Sequence, residues 1–323
     1  MPTTLADYSQ LALHNKDYLK AGVIDTLRKE SYLLDMMPFP NTGTLGAKGL
    51  RIKSLPTLQN RKVNDAYIHS VGAVEPIEEQ GYLFGGKVQT DRVYKDASGG
   101  LIVKDYEAWQ VELYLKALSY GWNDDMINNL PAAKPDSVVG LRYRLAQDFS
   151  GQIIDALAPD VSPDSAGLTA AFNTLFDAVQ ALIHKCDEHT CDVLLMNDTL
   201  KLRIESGLRQ LGLWTTTKDS FGRTVATWGE GGPKIVDLGM KADQVTKIFP
   251  DTEGATGIVG GGAKTRIMAL KFGEDYLTGW QLNPLQTYKW QQGVIHYTEI
   301  DWYAGLFITS PRSASWLYNI IAL

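Results

Sequence analysis

The chain has almost no cysteine: Cys186 and Cys191 are the only two among 323 residues, so no disulfide framework can hold it. It has no run of about 18 apolar residues, so nothing in it reads as a membrane-spanning helix. The opening MPTTLADYSQ carries an acid, Asp7, and lacks a basic region followed by an apolar stretch. The expectation is a chain without a signal peptide, kept in a cytoplasm with reduced thiols. Basic residues are in deficit, and the formal net charge of −6 argues against a dedicated nucleic-acid binder with a basic face. Catalytic signatures are missing too: no G-x-S-x-G, H-E-x-x-H or C-x-x-C occurs. The eight tryptophans and fifteen tyrosines lack the regular spacing of a base-stacking surface.

What is present is an ordered chain. A composition of 44 % hydrophobic and 21 % charged residues excludes a mostly disordered protein. Its length fits two domains, or one core with long extensions. Charge is unevenly spread: residues 1–62 carry a net +4 and residues 63–130 a net −6. Opposite neighbouring segments fit complementary surfaces between copies of the chain, although on charge alone two solvated faces of a monomer are the simpler reading.

Helical and extended patterns alternate along the chain. Thr4 with Asp7 reads as a capping box, followed by the stripe Leu5, Tyr8 and Ala12. Asp17 caps a second stripe of Leu19, Val23, Ile24 and Leu27, which runs into the apolar LLDMMPFP and a hinge-like NTGTLGAKG. Residues 50–94 read as a two-armed β ribbon, with LRIKSL opening it, residues 82–94 closing it and the Glu-rich VGAVEPIEEQ near its tip. Two strands of that length are barely stable alone in water and need a surface to lie on. Residues 105–129 form the longest helical pattern, with one stripe through Tyr106, Trp109, Leu113, Ala117 and Tyr120 and a second through Val111, Leu115, Leu118, Trp122 and Met126. Glu107, Lys116, Asp124 and Asp125 are left for solvent or ion pairs, and Gly121 marks a bend or close packing. A helix follows over 168–185, then a buried strand Val193–Met196 and a helix capped by Asn197 or Asp198. Short strands broken by glycines continue to residue 290, and a strand-like run and a docked apolar tail end the chain.

Three places invite a chemical reading. His184, Cys186, His189 and Cys191 form H-x-C-x-x-H-x-C. All four fall within eight residues at a helix-to-strand junction, where alternate side chains diverge, so an ordinary helix terminus is the better reading than zinc. The glycine-rich 257–265 lacks a Lys directly after its last Gly and is followed by a strand, so a surface loop is preferred over a phosphate cradle. Glu75, Glu78 and Glu79 sit on an exposed ribbon with no apolar pocket, fitting a solvated or intersubunit charge cluster better than acid–base chemistry. No catalytic, cofactor or metal residues are expected.

The order of elements, with VIDTLRKESYLLDMMPF (23–39), GYLFGGKVQTDRVY (81–94), CDVLLMNDTLKLRIESG (191–207), GGPKIVDLG (231–239), TRIMALKFGEDYLTGWQ (265–281) and VIHYTEIDWYAGLFITSPRSASWLYNI (294–320), resembles the major capsid proteins of tailed bacteriophages. The resemblance implies the Hong Kong 97-like α+β fold: an N-terminal arm (1–49), an extended β loop (50–94), a peripheral domain (95–190) with a spine helix (105–129), an axial domain (191–293) and a returning peripheral strand (294–323). It implies a non-enzymatic shell protein found in virions and assembled in a bacterial cytoplasm. Its partners would be itself, in hexamers and pentamers, a separate scaffolding protein, a portal, decoration proteins where present, and double-stranded DNA enclosed without sequence-specific contacts. Candidate intersubunit contacts are Leu33, Leu34, Met36 and Phe39 in the arm, and Arg51, Lys53, Arg61, Lys62, Glu75, Glu78, Glu79 and Arg92 in the ribbon. Lys53 and Lys62 also lie where a lysine–asparagine cross-link could start, but no acceptor or carboxylate is marked beside them. The alternatives are an encapsulin, which shares the fold but encloses cargo enzymes, and an unrelated metal-dependent enzyme around His184–Cys191.

Overall fold

In the computed structural model, which describes residues 4–96, 106–163, 165, 167–254 and 263–322, the chain begins with three short helices marked by their caps. These are α1 (Leu5–His14), α2 (Tyr18–Glu30) and α3 (Tyr32–Met36). The capping box closes in both directions: Asp7 N donates to Thr4 Oγ1 at 3.3 Å, and Thr4 N to Asp7 Oδ2 at 3.1 Å. Ser31 caps α3 and also donates to Asn123 Oδ1 at 2.6 Å, tying the arm to the long helix described below. Helices this short are marginal alone and persist through the faces they bury. Leu33, Leu34 and Phe39 are inside the subunit's own core, and Met36 packs against it. Their apolar surface is satisfied within one chain, which corrects the expectation that Leu33, Leu34 and Phe39 contact a neighbour.

The ribbon pairs differently from the expected arrangement. Strand β1 (Gly46–Ser54) pairs antiparallel with β2 (Ala73–Gln80), which holds the glutamates assigned to the tip; the tip is the 55–72 segment. Strand β3 (Tyr82–Asp91) turns back at Gly81 and joins the body. After the short α4 (Arg92–Asp96) comes α5 (Tyr106–Asn128), the expected spine. The Val111, Leu115, Trp122 and Met126 stripe is buried, while Trp109 and Leu113 on the other are exposed. The four charges set aside for ion pairs find them: Glu107 with Lys289, Lys116 with Glu30, Asp124 with Lys241 and Asp125 with Lys134. A Cβ at Gly121 would meet nothing within 4 Å, so of the bend or close packing expected there, close packing is not found.

Helix α6 (Leu141–Asp148) and strand β4 (Ile153–Asp155) lead to α7 (Leu168–Lys185), β5 (Val193–Met196) and α8 (Asp198–Gln210). Asn197 caps α8, accepting from Leu200 N at 2.9 Å. Then follow β6 (Trp214–Lys218), β7 (Thr224–Trp228), β8 (Lys234–Asp237), β9 (Thr265–Leu270), β10 (Leu277–Gln281), β11 (Gln286–Gln292), β12 (Ile295–Ile308) and β13 (Ala314–Ile320). The glycines at 257–262 lie outside the described residues.

Two body sheets result. In the smaller, β12 runs 14 residues between β3 on one side and β11, then β10, on the other. The larger has the order β4-β13-β9-β5-β8-β7-β6. The 294–323 segment therefore divides: β12 belongs to the smaller sheet and β13 to the larger. Strand alternation sorts the larger sheet onto two cores. Val193, Leu195, Met268 and Leu270 join the arm, the spine and the smaller sheet. Leu194, Met196, Ile267 and Ala269 join α7 and α8 in the second core. Burial on both faces is why β5 reads as an unbroken apolar run; β9 and β10 are buried throughout as well, although they carry Arg266 and Gln281.

The arm closes the first core. Past α3, Gly279 N donates to Pro38 O at 2.9 Å and Gln281 N to Pro40 O at 3.1 Å, so residues 38–41 extend along β10. The Phe39 ring fills the space where a Cβ on Gly279 would come within 2.2 Å of it. Replacing Phe39 by Ala should cost about 3–5 kcal/mol, read as an earlier urea midpoint. Leu175→Asp on α7 places an unpaired carboxylate in the second core, at a cost of several kcal/mol against a typical stability of about 5–15. That chain should be insoluble or lack a cooperative melt; wild-type melting would contradict the second core.

Candidate assembly surface

The β1–β2 hairpin is fastened at its base and unsupported at its end. At the base, Ala47 on β1 packs with Trp280 and Phe307, and Ile77 on β2 packs beside them. Gly49 is required there, because a Cβ would stand 2.5 Å from the Phe307 ring. Tyr303 donates its hydroxyl to Leu45 O at 2.7 Å, and Arg51 donates from Nη2 to Ile308 O at 3.0 Å while lying over the Phe149 ring. Arg144 on α6 forks onto Glu79, with Nη2 donating to Oε2 at 2.9 Å and Nη1 to Oε1. Both side chains are largely shielded from water, so this two-bonded pair is held more firmly than a surface ion pair.

Beyond Ser54 the chain offers little to itself. Residues 55–72 contain neither helix nor strand and turn at residues 63–64, where Asn64 takes φ +73°. Thr57 N donates to Ser70 Oγ at 2.8 Å, Arg61 Nη1 donates to Asp65 O at 3.2 Å, and Arg61 stacks on Tyr67 at 4.9 Å. Leu58 is 92 % and Val63 89 % exposed, and Leu55, Tyr67, Ile68 and Val71 are each more than two-thirds exposed. Six large apolar side chains in water on one 18-residue segment form the kind of patch that marks an interaction site. On the body, Trp109 and Leu113 of the spine are a second exposed apolar pair.

Three groups emerge from the expected contact residues. Leu33, Leu34 and Phe39 are spent in the core and Met36 packs against it; Arg51 and Glu79 are engaged within the chain. Lys53 and Glu75 line a cavity of about 670 Å³ where the hairpin base meets α6, together with Asp148 and Gln152. Arg61 and Lys62 lie at the exposed tip, Glu78 makes only a solvent-exposed pair with Lys48 at 3.2 Å, and Arg92 is exposed at the start of α4. The sequence reading passed over the six apolar residues of 55–72 and the clamp Arg144. The first carried a readable signal, since large apolar residues in a polar, Pro-broken stretch without period serve no core of their own.

Cys186 and Cys191 point into the second core while His184 and His189 are exposed, their rings 5.2 Å apart. Among the described residues no group of three or more His, Cys, Asp or Glu side chains is placed to hold a metal ion, and no helix is long and apolar enough to cross a membrane.

No protein-family model matches the sequence and no curated protein matches it, so likeness to known proteins rests on structure. The chain superposes on a subunit of the holo-SrpI encapsulin complex from Synechococcus elongatus with a TM-score of 0.60 at 13 % identity, covering 90 % of this chain and 88 % of that one. The capsid of a native GTA particle gives 0.57 at 12 % identity, covering 91 % of each chain. The capsid of the Myoviridae phage XM1 gives 0.50 at 15 %, covering 87 % and 89 %.

Removing the clamp should loosen the hairpin alone. Arg144→Ala leaves Glu79 shielded and unpaired, at a cost of about 3 kcal/mol. Amide exchange should quicken in 46–54 and 73–80 while β5 stays protected; equal protection in wild type and variant would show that the pair holds nothing. With its arm, clamped hairpin, spine helix and two body sheets, the chain has the Hong Kong 97-like capsid fold.

Proposed function

We propose that this protein is a structural shell subunit that assembles as hexamers and pentamers into an icosahedral capsid around double-stranded DNA. The observation that carries the reading is the 55–72 segment: a row of exposed apolar side chains held away from the body by a base clamped to it. Such a segment is a liability in a monomer and an asset in a lattice, where every copy both offers one and receives one. The capsid structures that share the fold support this assignment. The net charge of −6 fits a container, because a strongly cationic inner wall would hold DNA tightly as it entered. Lys53, Arg61, Lys62, Glu75, Glu78 and Arg92 are the polar contacts of the neighbour interface. A scaffolding protein and a portal act with the subunit during assembly, and particles carry it in the virion. The chain performs no catalysis of its own.

The likeness to an encapsulin subunit favours a second reading, a shell that holds protein cargo. Nucleic acid protected from nuclease inside purified particles separates the two.

The test is assembly itself. Full-length protein should give closed particles by negative-stain electron microscopy. A chain lacking residues 57–70, closed by a short Gly/Ser turn, should keep its circular dichroism and melting transition, because a shorter flexible loop costs no more to close than a longer one. It should form no particles. A truncated chain that misfolds would make the segment part of the subunit's own core; one that still closes into normal shells would remove it from assembly.

A further inference from the structure

Gly121 leaves open space on the spine helix that nothing in the same chain fills. Around it lies a groove of about 330 Å³ between α5 and β3, lined by Leu83, Ala117 and Leu118 and by the acids Asp125 and Asp136. Asp125 is paired with Lys134 at 2.6 Å, while Asp136 is exposed. Trp109, Leu113, Ala117 and Gly121 follow at four-residue intervals, so the groove continues an apolar face of the helix. Trp109, Leu113, Ala117 and the neighbouring Leu83 all stand in water. Along the helix axis this face runs about 18 Å from Trp109 to Gly121.

We propose that this face receives residues 58–63 of a second copy's hairpin tip, with Val63 in the groove at Gly121 and Leu58 against Leu113 and Trp109. The docking presupposes the shell reading above and adds the surface that takes the tip. Length fits: drawn out as extended chain, Leu58 to Val63 spans about 16 Å, so the two most exposed apolar residues of the tip reach the two ends of the face. Charge fits as well. Arg61 and Lys62 are exposed beside Val63, while Asp136 stands at the groove and Glu112 is exposed along α5. The two bases belong to the positively charged residues 1–62 and the two acids lie within or just after the negatively charged residues 63–130, the complementarity between copies that the sequence carries. Neither surface is covered within one chain, because Leu58, Val63, Trp109 and Leu113 are all left in water. A glycine inside a helix weakens it. Here the missing side chain leaves room for an incoming one.

Filling the groove tests the docking and leaves the tip intact. Gly121→Leu puts its side chain into open space, so the full chain should fold and melt at or above the wild-type temperature. In negative-stain images it should give no closed particles, while Gly121→Ala, which leaves most of the groove free, should still give them. Contact is read directly by placing Val63→Cys and Ala117→Cys in one chain, since the two native cysteines are buried. Oxidised particles of that variant should run as ladders of linked chains on a non-reducing gel, and either single variant as monomer. Wild-type protein that forms no particles would overturn the shell reading together with the docking. Normal particles from folded Gly121→Leu, or paired cysteines that stay unlinked or link only within one chain, would overturn the docking and leave the shell reading standing. If Gly121→Leu fails to fold, the paired cysteines decide alone.

Discussion

The first core converges on the Phe39 ring. It lies 5.8 Å from Trp122 of the spine and 5.1 Å from Trp302 of β12, with Phe84 of β3 4.6 Å from Trp122 on the far side. Four aromatic rings from the arm, the spine and two strands of the smaller sheet thus share one contact, in tilted and edge-on geometries that favour aromatic pairs. The close approach needs Gly279, and the backbone hydrogen bonds from β10 to Pro38 and Pro40 hold the arm in the register that delivers the ring. A short arm with three marginal helices becomes part of the body because Phe39, just beyond those helices, is locked there.

From that fixed point the subunit divides its labour. The central strands β13, β9 and β5 of the larger sheet are buried on both faces and have no solvent role. The end of the arm turns Leu33, Leu34, Met37 and Phe39 inward, while Leu11, Leu13, Tyr18 and Leu45 stay exposed. The hairpin does the opposite: its base is held by Arg144, Arg51 and the Trp280–Phe307 cluster, and its end exposes what the body hides. A rigid base gives the exposed end a defined position, and a defined position lets identical copies make identical contacts.

Charge follows the same division. The ribbon's ionic groups alternate between internal use, as in Glu79 with Arg144, and exposure, as in Lys62 and Glu78. On the spine, Glu107, Lys116, Asp124 and Asp125 form ion pairs with residues of other segments, so ion pairs add to packing in holding the helix.

Local chemistry by itself determined the helices and their caps. The Thr4–Asp7 box, the Asp17 and Asn197 caps and the 3.6-residue stripes of α5, α7 and α8 stand where the residues place them, because each depends on neighbours within about four positions. Strand segments were also legible, and so was the apolar run Val193–Met196, buried on both faces. Strand partners were not. Residues 73–80 and 82–91 both alternate, and nothing within either segment says that the first pairs with β1 and the second with β12, some 210 residues later. The same holds for the candidate surface: LLDMMPF reads as sticky in any setting, and only tertiary packing decided that Leu33, Leu34 and Phe39 are core while Leu58 and Val63 stay in water. Hydrophobicity is a property of a residue, but exposure is decided by what the rest of the chain brings to cover it.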